Sequence, residues 1–246
     1  MQPTGLPPSG SLRRSVALFR AFRAEQADPD RFYGLLAADS ARQLEGYAEL
    51  AGRTVLDVGG GPGYFAEAFR ARGATYVAVD SDLGELSARA TPGPGAVLGS
   101  ALALPVRSAA VDACFSSNVL EHVAQPEMMA GEMVRVTRPG GVIFLSFTTW
   151  LSPWGGHETS PWHYLGGDRA ARRYERRTST APKNRYGETL FAVSAARMLR
   201  WARGRRDVEL VDALPRYHPS WARWLVAVPG LREVAVWNLL LVLRKR

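Results

Sequence analysis

A cluster of glycines directly follows a short apolar segment that contains one carboxylate. The apolar segment is 54–58, Asp57 lies within it, and Gly59, Gly61 and Gly63 fall in the five positions after it. Glycine permits positive φ and lets a ligand approach bare backbone, and a helix after such a turn presents free N–H groups. The pattern indicates a nucleotide-like ligand. The carboxylate would repel a pyrophosphate and suits a ligand that carries an ammonium group and a sulfonium.

A second carboxylate ends the next predicted strand. Asp80 lies 21 positions after Gly59, where a carboxylate accepts hydrogen bonds from the hydroxyls of a ribose. A helix N-cap is the structural alternative, because Ser81 and Asp82 follow. The segment 61–66 also fits the G-x-G-x-x-A variant of a dinucleotide fingerprint. A nicotinamide enzyme therefore stays open as an alternative, disfavoured by Asp57.

The elements around these residues alternate between strand and helix patterns. Such alternation predicts a parallel sheet covered on both faces. Two amphipathic helices precede it, and a segment rich in Trp, Pro and Gly interrupts it after the fifth strand. The expected divisions are a flexible lead at 1–10, N-terminal helices at 11–52, a cofactor-binding core at 53–147, an inserted substrate cap at 148–190, and the C-terminal part of the same sheet domain at 191–246.

The chain contains five short motifs in order, at 57–63, Asp80, 99–105, 116–123 and 138–141. Together they resemble the class I methyltransferases that use S-adenosylmethionine, in particular the group of small-molecule and quinone methylases. One position differs, since Ser100 stands where that family usually has an aspartate that accepts from the adenine amino group. The resemblance implies a Rossmann-like seven-stranded mixed sheet with an antiparallel last strand, and S-adenosylmethionine as cofactor. The cofactor-binding residues that it implies are Asp57, Gly59, Gly61, Gly63, Asp80, Ser100, Ala101 and Asn118.

Methyl transfer from a sulfonium needs a positioned nucleophile and, unless that nucleophile is already ionised, a general base. His157 and His163 lie in the predicted cap, where ligand-contacting loops of open α/β sheets occur. We expect these two and Tyr164 to be the catalytic residues, although packing against Trp residues is an equal alternative for a cap histidine. His122 is expected to hydrogen-bond backbone beside the cofactor rather than to act in catalysis.

We expect no metal site. The single cysteine, Cys114, excludes a disulfide within the chain and a Cys-based metal cage. His and carboxylate pairs at ligand spacing are lacking apart from His157 and Glu158, and adjacent side chains rarely converge on one ion.

The basic residues are concentrated in the second part of the chain. Residues 1–150 contain 13 basic and 15 acidic side chains, and residues 151–246 contain 18 and 8. The positive half of the chain would suit an anionic substrate or a membrane surface. Alternatively, because 29 of the 31 basic residues are Arg, the excess is also what a GC-rich genome would produce without selection for any ligand.

We therefore predict a methyltransferase for a small or lipidic acceptor, which is anionic if the basic half of the chain binds it. The alternative from another class is a non-catalytic nucleotide-fold protein that associates with a membrane or partner through its basic half. Nucleic acid is disfavoured, since no recognised RNA or DNA module accompanies the basic segment. The apolar segment 239–243 is too short to span a bilayer, so a cytoplasmic protein, or a peripheral one at the membrane, is expected. The sequence leaves the oligomeric state open.

Overall fold

The computed structural model describes residues 10–25, 27–88 and 94–246. Seven strands form one sheet in the order β3-β2-β1-β4-β5-β7-β6. Strands β1 to β5 are parallel, and β7 runs antiparallel between β5 and β6. The expected Rossmann-like mixed sheet with an antiparallel last strand is confirmed. The strands are β1 Thr54–Val58, β2 Thr75–Asp80, β3 Ala96–Leu98, β4 Val111–Ser117, β5 Thr137–Thr148, β6 Val208–Pro215 and β7 Asn238–Lys245.

Helices cover both faces of the sheet, as the alternating pattern predicts, and each face has its own buried apolar cluster. Side chains alternate between the faces along a strand, so Leu56 belongs to one cluster and Val55 to the other. The helices are α1 Leu12–Arg23, α2 Pro29–Glu45, α3 Ala66–Arg70, α4 Leu83–Ser87, α5 Pro126–Val136, α6 Gly167–Thr178, α7 Ala195–Gly204 and α8 Leu231–Val234.

Local capping explains where the two N-terminal helices begin. The Ser11 side chain accepts from the Arg14 amide before α1, and the Asp28 side chain accepts from the Arg31 amide before α2, where Pro29 occupies the first turn. Inside, the Arg14 guanidinium forms a fully buried ion pair with Asp39, which joins α1 to α2. Residues 1–9 of the predicted flexible lead lie outside the described residues.

The segment 148–190 contains more regular structure than its sequence predicts. It includes 3-10 turns at His157–Thr159 and Trp162–Leu165, followed by the three-turn helix α6. Ala170 and Ala171 are the buried residues of α6, and Tyr174 on the same face is half-buried, so the inward face of this helix consists of small side chains and one tyrosine. Farther on, Ser220–Val226 forms a 3-10 helix, and the closing strand β7 begins at Asn238.

Candidate active site

The glycine turn connects β1 to α3, and its first two glycines are required by packing. The Gly59 amide donates to the Val79 carbonyl at 2.8 Å. A Cβ on Gly59 would lie 2.4 Å from a Val119 methyl group, and one on Gly60 would lie 2.7 Å from the Ala78 Cβ. These two residues let the turn approach the neighbouring strands, so their role here is close packing of the backbone.

Two further glycines of the turn face open space. Gly61 and Gly63 both have positive φ, at 46° and 78°, and no described atom lies within 4 Å of a Cβ built on either. At these two positions the positive φ disfavours a residue with a side chain, although no neighbouring atom would clash with one. The turn leaves bare main chain accessible at its outer part, which is the feature expected of a cradle for a ligand.

Asp80 lies at the end of β2 and holds this turn. Its Oδ2 accepts from the Gly61 amide at 2.9 Å, and its Oδ1 accepts from the Asp82 amide at 3.0 Å. Asp82, not Asp80, caps α4, since the Asp82 carboxylate accepts from the Gly84 and Glu85 amides. A carboxylate oxygen has lone pairs beyond these bonds, so Asp80 keeps the capacity to accept from ribose hydroxyls.

Asp57 lies beneath the turn and is buried. Its Oδ2 accepts from the Tyr76 hydroxyl at 2.6 Å, and burial raises the pKa of this carboxyl to about 7 against the lowering effect of that hydrogen bond. The tyrosine pKa is also raised well above its ordinary value, first by burial and then by the Asp57 charge. A direct contact of Asp57 with a ligand ammonium group stays a prediction.

The segment after β3 is joined to the Asp80 edge of the sheet. The Gly99 amide donates to the Asp80 carbonyl at 2.8 Å. Ser100 is exposed, and its Oγ accepts from the Leu102 amide at 3.1 Å. Ala101 is half-buried and packs against the core. Ser100 and Ala101 therefore follow directly on the residue that is bonded to Asp80, and their contact with an adenine stays a prediction.

Asn118 follows β4 in the left-handed region, with φ of 57°. Its side chain is engaged by two other residues: Oδ1 accepts from the Asn238 amide group at 2.6 Å, and Nδ2 donates to the Tyr217 hydroxyl at 3.2 Å. The side chain thus links β4 to the start of β7. Asn118 precedes Val119, which packs on Gly59, so its backbone lies at the glycine turn.

The residues around the glycine turn leave room and polar groups suitable for S-adenosylmethionine. Open space lies above Gly61 and Gly63, and the carboxylate of Asp80 borders that turn. The N-terminal end of a helix follows the turn at Ala66.

The predicted catalytic residue His157 pairs with a histidine on the segment after β4. Its Nε2 lies 3.3 Å from the Nε2 of His122, and His157 adopts the left-handed φ of 49°. Burial first, and the neighbouring His122 second, lower the pKa of His157 to about 4. The expected partner Glu158 instead accepts two hydrogen bonds from Asn184. As predicted, His122 also bonds backbone, through Nδ1 and the Thr189 carbonyl at 2.7 Å.

His163 and Tyr164 lie farther along the cap. His163 is buried, its ring packs against Trp150 with centroids 5.2 Å apart, and burial lowers its pKa. Tyr164 is exposed and donates its hydroxyl proton to the Leu151 carbonyl at 3.0 Å. The structure brings His157 and His122 together, whereas the hydroxyl of Tyr164 is hydrogen-bonded to a backbone carbonyl. Catalytic roles for His157, His163 and Tyr164 stay predictions.

Sequence reasoning missed a buried arginine near these residues. Arg216 follows β6, and its guanidinium donates to the hydroxyls of Ser117, Ser146 and Ser40 at 2.7, 2.5 and 2.6 Å. Burial lowers its pKa, yet an arginine stays charged in proteins. No local pattern signals this role, because the serines that receive it are distant in sequence.

A basic groove lies along α6. Its walls combine apolar side chains of the preceding 3-10 turn with arginines of the helix, and the Arg173 guanidinium lies 3.9 Å from the centre of the Trp162 ring. The groove has a volume of about 710 Å³ and is lined by Trp162, Leu165, Arg169, Ala170, Arg172, Arg173, Arg176 and Arg177. Trp154, in contrast, packs against Phe22 and Trp237 and is part of the protein interior.

Comparison with known proteins extends over nearly the whole chain. A methyltransferase-domain family matches residues 56–145. An uncharacterized methyltransferase of Mycobacterium marinum is 53% identical, with 96% of each chain covered, and one of Mycolicibacterium gilvum is 54% identical, with 95% of each covered. The fold matches a TehB-like SAM-dependent methyltransferase of Corynebacterium glutamicum, with a TM-score of 0.56, 18% identity, and 96% and 100% of the two chains covered. The chain belongs to the class I S-adenosylmethionine-dependent methyltransferases.

Proposed function

We propose that this methyltransferase acts on an anionic acceptor with an apolar, lipid-like part. The observation that carries the proposal is the groove along α6, where Trp162 and Leu165 adjoin five arginines. Arginine binds carboxylate and phosphate oxygens with two parallel hydrogen bonds, and aromatic and aliphatic side chains favour the hydrocarbon part of a ligand. A small neutral acceptor would have no use for this combination.

Different residues of the chain would bind the cofactor and the acceptor in such a methyl transfer. S-adenosylmethionine supplies a methyl group that already carries a good leaving group. Gly61, Gly63 and Asp80 would hold the cofactor, and the cap would hold the acceptor and exclude water. His157 is neutral near pH 7, since its pKa lies near 4, and is a weak general base there. An acceptor that is already ionised, such as a carboxylate, would need none.

A labelled methyl group tests the acceptor class. A bacterial extract is first separated into anionic-lipid, neutral-lipid and aqueous fractions, because methylation of a carboxylate would remove the charge of the acceptor. The purified enzyme is then incubated with each fraction and with S-adenosylmethionine labelled at the methyl group. We expect enzyme-dependent label in the anionic-lipid fraction. Label confined to the neutral-lipid or aqueous fraction would contradict the proposed acceptor.

Charge reversal in the groove supplies the matched control. Arg172 and Arg176 are exposed on α6, and Arg203 and Arg206 are exposed near the end of α7. Each basic residue near an anionic surface contributes about 1 kcal/mol, so R172E/R176E should lower anionic-lipid labelling by at least roughly tenfold. The variant R203E/R206E carries the same change in net charge and should retain labelling.

Peripheral contact with an anionic membrane is the second part of the proposal. Trp221 and Trp224 are 69% and 53% exposed, and amphipathic aromatic side chains favour the interface between headgroups and acyl chains. No helix among the described residues is long and apolar enough to cross a bilayer. Cosedimentation with phosphatidylglycerol vesicles should exceed that with phosphatidylcholine vesicles, and W221A/W224A should weaken it. Vesicle binding without label in any fraction would favour the non-catalytic alternative.

A further inference from the structure

Two histidines and a glutamate converge where the segment after β4 meets the cap. The Nε2 atoms of His122 and His157 face one another at 3.3 Å, and a carboxylate oxygen of Glu121 lies within 4.8 Å of the histidine nitrogens. His157 follows His122 by 35 positions, so no spacing rule along the chain would connect them. The expectation of no metal site rested on such spacing and on the rarity of adjacent side chains that converge on one ion. Glu121 and His122 are adjacent, yet a ligand atom of each lies within 4.8 Å of the other and of His157.

The separation of the two nitrogens matches a tetrahedral metal centre. Imidazole nitrogens bind zinc at about 2.0–2.1 Å, so two of them at the tetrahedral angle lie about 3.3 Å apart. The Nδ1 of His122 is 2.7 Å from the Thr189 carbonyl oxygen. A histidine that donates from Nδ1 to a carbonyl presents a lone pair at Nε2, which is the usual way a metal-binding imidazole is oriented.

Glu121 supplies the third, negatively charged ligand. It is only 2% exposed. Its Oε1 accepts from the Thr148 amide at 3.0 Å, whereas its Oε2 has no hydrogen-bond partner among the described residues. A buried carboxylate oxygen without a partner is costly, and a cation bound between it and the two imidazoles would satisfy it.

The backbone at His157 is also held in an uncommon conformation. Its φ of 49° costs free energy in a residue with a side chain, and such conformations cluster at ligand sites. This conformation accompanies the placement of the His157 ring against His122, with ring centroids 4.9 Å apart.

We propose that Glu121, His122 and His157 form a binding site for one divalent transition-metal ion of the zinc type. Three protein ligands leave a coordination position for water or for an oxygen of a bound small molecule. Val119 packs on Gly59 of the glycine turn, so Glu121 and His122, two and three positions later, place the ion at the same edge of the sheet as the cofactor turn. This site is independent of the chemical class of the methyl acceptor.

Cobalt(II) tests the site directly, because its visible spectrum reports coordination geometry. Tag-free full-length protein is treated with a chelator, dialysed and titrated with cobalt(II) and then zinc(II). We expect one equivalent of cobalt(II) to bind with the visible bands of a tetrahedral site, and zinc(II) to displace it. Glu121→Gln and His157→Gln should each weaken binding by at least roughly tenfold.

The variants are chosen to separate binding from folding. A glutamine at position 121 can still accept from the Thr148 amide, and circular dichroism verifies that each variant is folded. His163→Gln, in the same cap but outside the cluster, should bind cobalt(II) as the parent does. The proposal is overturned if the parent protein binds no stoichiometric cobalt(II), if the two cluster variants bind as it does, or if His163→Gln weakens binding equally.

Discussion

The hydroxyl of Tyr76 donates a hydrogen bond to the buried Asp57 carboxylate at 2.6 Å, beneath the glycine turn. Asp57 pairs with Ala78 in the parallel register of β1 and β2, and Tyr76, two positions earlier, lies on the same face of the sheet as Ala78. Asp57, the carboxylate that precedes the glycine turn in the sequence, is therefore also a buried residue of the sheet.

The buried Asp57 makes stability depend on pH. Its folded-state pKa, about 7, lies above the ordinary value of 3.8, so the folded state binds more protons between these values and stability falls as pH rises through that window. Asp57→Asn removes the titration. We expect its melting temperature to exceed that of the parent by a few degrees at pH 8 and to match it near pH 4. An equal difference at both pH values would contradict the raised pKa.

Alanine at Gly59 and at Gly61 should separate packing from ligand binding. Gly59→Ala places a Cβ against Val119 and should destabilise the fold by about 1–3 kcal/mol, in addition to its strained φ. Val119→Ala in the same chain should recover part of the loss. Gly61→Ala meets no atom and should cost about 1 kcal/mol for its φ while weakening cofactor binding. Denaturant unfolding and calorimetry measure the two effects.

Asp80 should control cofactor affinity. Hydrogen bonds to a charged group contribute about 1.5–3 kcal/mol, so Asp80→Ala should raise the dissociation constant for S-adenosylmethionine roughly 10- to 100-fold. Glu85→Gln, which removes one half-buried carboxylate nearby on α4 and its ion pair with Lys183, is the matched control and should bind the cofactor normally. Equal affinities of the parent and Asp80→Ala in calorimetry would remove Asp80 from the cofactor site.

Arg216 should matter more for stability than any surface arginine. Its guanidinium joins hydroxyl groups on α2, β4 and β5, and replacement with alanine leaves these three acceptors without their donor. Because a hydrogen bond to a charged group contributes about 1.5–3 kcal/mol, we expect Arg216→Ala to lower the free energy of unfolding by at least about 3 kcal/mol. Arg206→Ala, on the surface, should change it by less than about 0.5 kcal/mol. Similar losses in the two variants would exclude the buried role of Arg216.

The sequence predicts the sheet and the cofactor turn because both depend on local patterns. The apolar strands, the glycines after Val58 and the acid at Asp80 are each recognisable within a few residues. Helix α6 escapes prediction because the face that it buries consists of Ala170, Ala171 and the half-buried Tyr174, without a large aliphatic side chain at helical spacing.

The contacts across the site cannot be predicted in the same way. His122 contacts His157 only when the segment 148–190 packs against the segment after β4. Arg216 contacts its three serines only when β6 and β7 have paired with the rest of the sheet. From the sequence alone, Asp57 is expected to contact the ligand. Its hydrogen bond with Tyr76 cannot be predicted, because Tyr76 lies on another strand and only the register of β1 with β2 brings its hydroxyl under the turn.

Calorimetric titration of the purified protein with S-adenosylmethionine, its demethylated product and NAD tests most directly whether the turn between β1 and α3 holds this cofactor. We predict saturable one-to-one binding of the first two in the micromolar range or tighter, no measurable binding of NAD, and loss of binding in Gly61→Val. A preference for NAD, or no binding of S-adenosylmethionine by the folded parent protein, would contradict the account.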